Sequence, residues 1–158
     1  MKRYYEVNDD INKIYNNSNK TQELMGGHCK DYKENWYSWY ILSIEGCHPC
    51  AYVAVDKNHS AYGEDWEDTL MDVVHGGITF NNGYLANCVL ISDEKWVFGW
   101  DYAHEGDYTT MHLNMFGYNL FGVDWGGAMG KKYSIKEIKK DIKSFVKYLI
   151  EYDEELRE

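Results

Sequence analysis

His75, Asp101, His104 and Asp107 are the side chains best suited to chemistry in this 158-residue chain. They fall in two short segments, VVHGGITF at 73–80 and WVFGWDYAHEGDY at 96–108. Imidazole changes charge near neutral pH, and a carboxylate beside it orients the ring and fixes its tautomer. Such a group suits a general base, with His75 as a further general acid or base. It equally suits a divalent metal with nitrogen and oxygen ligands, held by Asp101, His104 and Asp107. Gly76, Gly77 and Gly106 can offer backbone N–H groups to a phosphate or an oxyanion, with Thr79 just beyond the pair. His59 and Tyr62, in HSAYGEDW, stand upstream where they can close over a ligand. The competing assignment makes the aspartates turn caps and the histidines partners of buried polar groups, with His59 in a surface turn.

Other reactive types carry less. Cys47 and Cys50 form CHPC, and His28 with Cys29 can complete a four-ligand zinc set. A redox CxxC should open a helix after a strand, whereas this one lies between two strand-like runs, so turn cysteines are expected. No GxSxG elbow, P-loop or GxGxxG occurs.

The elements that must position these residues follow from pattern. Residues 1–25 are polar and Asn-rich with loosely helical apolar spacing, giving a short helical arm that Gly26-Gly27 should end. Asn35 to Ile44 and Cys50 to Val55 are aromatic and β-branched, and the turn residues between them predict an antiparallel hairpin. Residues 72–80, 85–91 and 96–100 also look extended, with Asn81-Asn82-Gly83 as a joining turn. The sheet and site thus occupy 35–107, and residues 108–132 form a long loop without a period. Ser134 and Glu137 have capping-box spacing, and Ile135, Ile138, Ile142, Phe145, Val146 and Leu149 make one apolar face, so 134–152 is an amphipathic helix. Strands followed by a helix predict a single α+β domain over 1–158, a curved antiparallel sheet with the helix packed on one face.

Charge narrows the partners. The net charge is −10 with a pI near 5.0, which argues against a broad cationic surface and so against direct DNA binding. An acidic surface with 6 Trp and 15 Tyr can instead occupy a basic groove on another protein. The terminal run EYDEELRE is a solvated helix end. No apolar run approaches the roughly 20 residues of a membrane span, and MKRYYEVNDD lacks a signal-peptide core, so a cytoplasmic protein with reduced thiols is expected.

The order CAYVAVDKNHSAYG, DVVHGGITF, WVFGWDYAHEGDY and a terminal amphipathic helix resembles a family of small proteins carried by bacteriophages and bacterial mobile elements. The family pattern is a YVxV strand, a GHPxYG-like loop, VHGGLTF and WWFGFDxAHxGD, matched from Cys50 to Asp107. His59, Tyr62, Gly63, His75, Gly76, Gly77, Thr79, Phe80, Gly99, Asp101, Ala103, His104, Gly106 and Asp107 fit it. Ser60, Val97 and Tyr102 depart from it, and the last argues against an essential cysteine in that loop. The resemblance implies a phage accessory protein in the host cytoplasm and, by kinship, an anti-defence role of anti-CRISPR type. Two functions are therefore expected. One is hydrolysis of a phosphate-containing small molecule or nucleotide at the His/Asp site, with or without a divalent metal. The other is non-catalytic inhibition of a basic host defence protein, with a nucleotide sponge as a third use of the same pocket.

Overall fold

The computed structural model describes residues 11, 13–16, 18, 20–82, 95–104, 106–107 and 130–157. Among the described residues, five strands, β1 (Gln22–Lys30), β2 (Trp36–Ile44), β3 (His48–Asp56), β4 (Phe80–Asn82) and β5 (Lys95–Asp101), precede a long helix, α1 (Ile135–Arg157), and Ile11, Lys13 and Ile14 are helical as well. The strands form an open antiparallel sheet ordered β1-β2-β3-β5-β4, with α1 packed against it. The α+β class and the sheet-plus-helix architecture agree with the sequence pattern.

The described residues divide into two compact units, one from 1–25, 41–50 and 101–139, the other from 26–40, 51–100 and 140–158. The first unit holds the β2–β3 turn. There Glu45 and Gly46 take φ of 52° and 69°, and Cys47 N–H donates to Ile44 C=O at 2.9 Å. Two successive positive φ values match the right-handed twist of the hairpin. Ser43 donates to Ile14 C=O at 2.6 Å, Tyr133 N–H donates to the Tyr15 hydroxyl at 2.9 Å, and the Tyr102 and Tyr133 rings lie 4.8 Å apart. CHPC opens no helix: Cys47 ends the turn and Cys50 is buried in β3.

The second unit holds the aromatic core. Phe145 of α1 is fully buried, with Phe98 and Trp100 of β5 each 5.6 Å away. Trp66 stacks on Phe98 at 4.7 Å and meets Phe145, Tyr148 and Tyr152 edge-on. Ile142 and Leu149 are buried on the same face of the helix. In the first unit, where α1 begins, the capping box forms as its spacing predicts: Glu137 N–H donates to Ser134 Oγ at 3.2 Å, and Ser134 N–H donates back to Glu137 Oε1 at 3.2 Å.

Three expectations need correction. Residues 22–25 belong to β1, and Gly26-Gly27 lies inside that strand instead of ending an arm. Residues 72–76 form turns and 77–79 belong to no strand, because Gly76 and Gly77 reverse the chain at φ of 73° and 79°. Asn81 and Asn82, expected in a turn, pair with Phe98 and Val97 in β4. The helix also runs past 152 to Arg157. The expected extension at 85–91 and most of the loop at 108–132 lie outside the described residues.

Candidate functional site

In the first unit, β5 delivers Asp101 at its last position and the chain then turns through His104 to Asp107. Asp101 Oδ1 accepts from Ala103 N–H at 3.1 Å and stands 3.3 Å from His104 Nε2. Both side chains are about one-third exposed, 31% and 34%. Asp107 is buried, and its Oδ2 accepts from His104 N–H at 3.0 Å while its own N–H donates to His104 C=O at 2.9 Å. This reciprocal pair fixes the turn that carries His104. Lys131 N–H donates to Gly106 C=O at 2.9 Å and pairs Asp107 with Lys131 in a parallel bridge. A Cβ added to Gly106 would meet open space. Among the described residues, no group of three or more His, Cys, Asp or Glu is arranged to hold a metal ion.

In the second unit, His75 is half-buried and its N–H donates to Asp141 Oδ2 of α1 at 3.3 Å. Gly77 N–H donates to Val74 C=O at 3.1 Å, and Thr79 N–H donates to Gly99 C=O at 2.9 Å. Both amides serve the turn and the sheet. A Cβ at Gly77 would stand 2.7 Å from Thr69 C=O, so this position needs glycine for space as well as for its φ. Tyr62 packs its ring 5.8 Å from Trp96, whose indole N–H donates to Glu64 C=O at 3.0 Å.

His59 has a different place from the one its loop suggested. It is buried at 3% exposure, its Nδ1 accepts from Ala61 N–H at 3.0 Å, and its Nε2 lies 3.1 Å from Leu149 C=O of α1 and 3.2 Å from the Tyr37 hydroxyl. An acceptor at Nδ1 and a carbonyl at Nε2 assign the proton to Nε2. Burial lowers the pKa of this ring against the pull of Asp153, keeping it neutral. The Tyr37 hydroxyl donates to Asp31 Oδ2 at 2.8 Å, and burial with that carboxylate raises its pKa.

Asp153, which composition hid among the acidic residues of the helix end, is the centre of this network. It is 1% exposed and accepts from Ser60 N–H, Ser60 Oγ, Arg157 Nε and Asn35 Nδ2 at 2.9, 2.7, 2.9 and 2.9 Å. Burial by itself would raise its pKa, but the bonds from Ser60 and Arg157 outweigh it and hold the carboxyl at about 2. Arg157 also donates to Asn58 C=O. The only sequence signal was its i, i+4 spacing from Leu149 and Arg157, which places Asp153 toward the sheet side of α1.

Thus Asp101, His104 and Asp107 come together within one unit, His59 and Tyr62 brace loops, and His75, Gly76, Gly77 and Thr79 belong to the other unit. Comparison with protein families, with curated proteins and with solved structures finds no match for this chain.

Proposed function

We propose that the turn following β5 is an acid–base site in which Asp101 orients His104 for hydrolysis of a phosphate-bearing small molecule or nucleotide. The observation supporting it is the 3.3 Å approach of the Asp101 carboxylate to His104 Nε2, with both side chains reachable by solvent. The negative charge of a carboxylate beside Nε2 favours the proton on that nitrogen, which leaves Nδ1 to take a proton from water. Asp107 is then a positioning residue: it grips the His104 amide and fixes the turn that carries the ring. His104→Ala should lower phosphate release from a panel of nucleotides and phosphate esters by about 10²- to 10⁴-fold while the melting temperature stays put. Full turnover in that variant would sink the assignment, and so would a wild-type protein that releases no phosphate.

A second function is favoured by a specific feature of the other unit. Glu64, Asp65, Glu67 and Asp68 are all exposed, around a Trp66 ring locked against Phe98. The segment is fixed: Asp68 N–H donates to Ile78 C=O at 2.8 Å, and Trp66 N–H donates to Asn81 Oδ1 at 2.5 Å. A rigid acidic ridge of this kind suits capture of a basic protein surface, as an anti-defence inhibitor of a host nucleoprotein requires. Reversing the four charges to lysine should abolish a stoichiometric, salt-sensitive complex that His104→Ala leaves intact, as read by calorimetry at two ionic strengths.

A further inference from the structure

The net charge of −10 conceals a strong local asymmetry. Residues 131–147 hold seven of the sixteen basic residues against only Glu137 and Asp141, a net of +5, so the rest of the chain carries −15. Four of those lysines, Lys136, Lys140, Lys143 and Lys147, recur at intervals of four, three and four along α1. At 3.6 residues per turn that spacing places them in one stripe, opposite the buried face of Ile138, Ile142, Phe145 and Leu149. All four are exposed, and none forms an ion pair among the described residues, unlike Lys131, which holds Glu137 at 2.6 Å. At a rise of 1.5 Å per residue the row is ~16 Å long.

We propose that this stripe docks the phosphate backbone of a nucleic-acid duplex, independently of sequence. A helix face that only needed solubility would intersperse both signs, as i, i+4 Glu–Lys pairing does. This one presents a line of like charges at intervals of ~4.5–6 Å, set by the helical rise. A duplex strand carries a charge every ~3.4 Å along its axis, the densest regular line of negative charge such a row can meet. An anionic membrane is a poorer fit, since a surface helix binds lipid by inserting apolar residues beside its lysines. Here the apolar residues are buried and Ser144 lies next to the stripe. A single strand is a poorer fit too, because it is held largely by stacking on aromatic rings, and the stripe itself presents none. The rest of the chain carries −15, so the contact is weak.

The test is fluorescence anisotropy of a labelled 20-base-pair duplex titrated with the full chain at several salt concentrations. Four phosphate contacts predict a slope of log K against log[salt] of about −3.6, with a Kd at physiological salt within about 10⁻⁴ to 10⁻⁶ M that tightens as salt is lowered. Lys140→Gln with Lys143→Gln should halve the slope to about −1.8, and Lys140→Glu with Lys143→Glu should abolish binding. Circular dichroism should show the helix intact in both variants. Binding that ignores these changes would overturn the proposal, as would no binding at 100 mM salt or below. Tighter binding to polyglutamate, to oligo-dT or to phosphatidylserine vesicles than to the duplex would overturn it equally.

Discussion

Asp153→Ala is expected to cost about 3–5 kcal/mol of stability, the loss typical when one member of a buried charged network is removed. The alanine would strand four donors at once, among them the buried amide of Asn35 and the Ser60 backbone N–H. For a domain stabilised by about 5–15 kcal/mol this is a large share, and a urea midpoint measures it directly. Asp153→Asn keeps the shape and some acceptors and should cost less. The same carboxyl sets an acid limit. Its folded pKa of about 2 lies below the ordinary 3.8, so its contribution is complete above the ordinary value and is lost as pH falls from there toward 2. The shift corresponds to about 2 kcal/mol. His59 acts in the same direction, because a ring kept neutral when folded resists protonation as the pH drops below its ordinary 6.5. Melting temperatures between pH 7 and pH 2 should therefore fall steeply at the acid end, and Asp153→Asn should flatten the last part of that fall. An unchanged profile in the variant would mean that another carboxylate governs acid unfolding.

Phe145→Ala should be as damaging, at about 3–5 kcal/mol for an aromatic ring deleted from a closed core. The ring is fully buried and contacts Trp66, Phe98, Trp100 and Tyr148, so no single neighbour can collapse into the space. Phe145→Leu should recover more than half of the loss. Tryptophan emission would report the change as well, because two of the neighbouring rings are indoles. A loss below about 1 kcal/mol would mean the core repacks freely, contrary to the dense interiors of folded proteins.

The amphipathic helix and the β2–β3 hairpin were legible because their determinants are local. Ser134 and Glu137 cap each other three residues apart, and the apolar face repeats within each turn. β1 was not legible, because Gly26-Gly27 signals a break unless the partner strand is known. In the fold, a Cβ on Gly27 would stand 2.6 Å from the Trp39 ring, so the glycine makes room for an indole on the neighbouring strand. The non-strand conformation of 72–79 was missed because Val73, Val74, Ile78 and Thr79 have strand propensity, which the positive φ of Gly76 and Gly77 overrides. At the candidate site, the Asp101-x-x-His104 spacing was readable and its pairing followed. The role of His59 was not, because its partners Tyr37 and Leu149 lie 22 and 90 residues away in sequence. The lysine stripe was also plain in the sequence, but averaging charge over the whole chain concealed it.

The long-range bonds of the second unit have a consequence for how the chain comes to be folded. Asn35 reaches Asp153 across 118 residues, and His59 reaches Leu149 across 90. Contacts this distant raise the entropy of loop closure and slow folding relative to helical bundles of similar stability. Lysines early in α1 and carboxylates late in it also oppose the helix dipole, so the segment gains little from forming alone. During synthesis, Phe98 and Trp100 would thus leave the ribosome well before Phe145 arrives to cover them. The nascent protein should be most prone to aggregate, and most dependent on chaperones, in that interval.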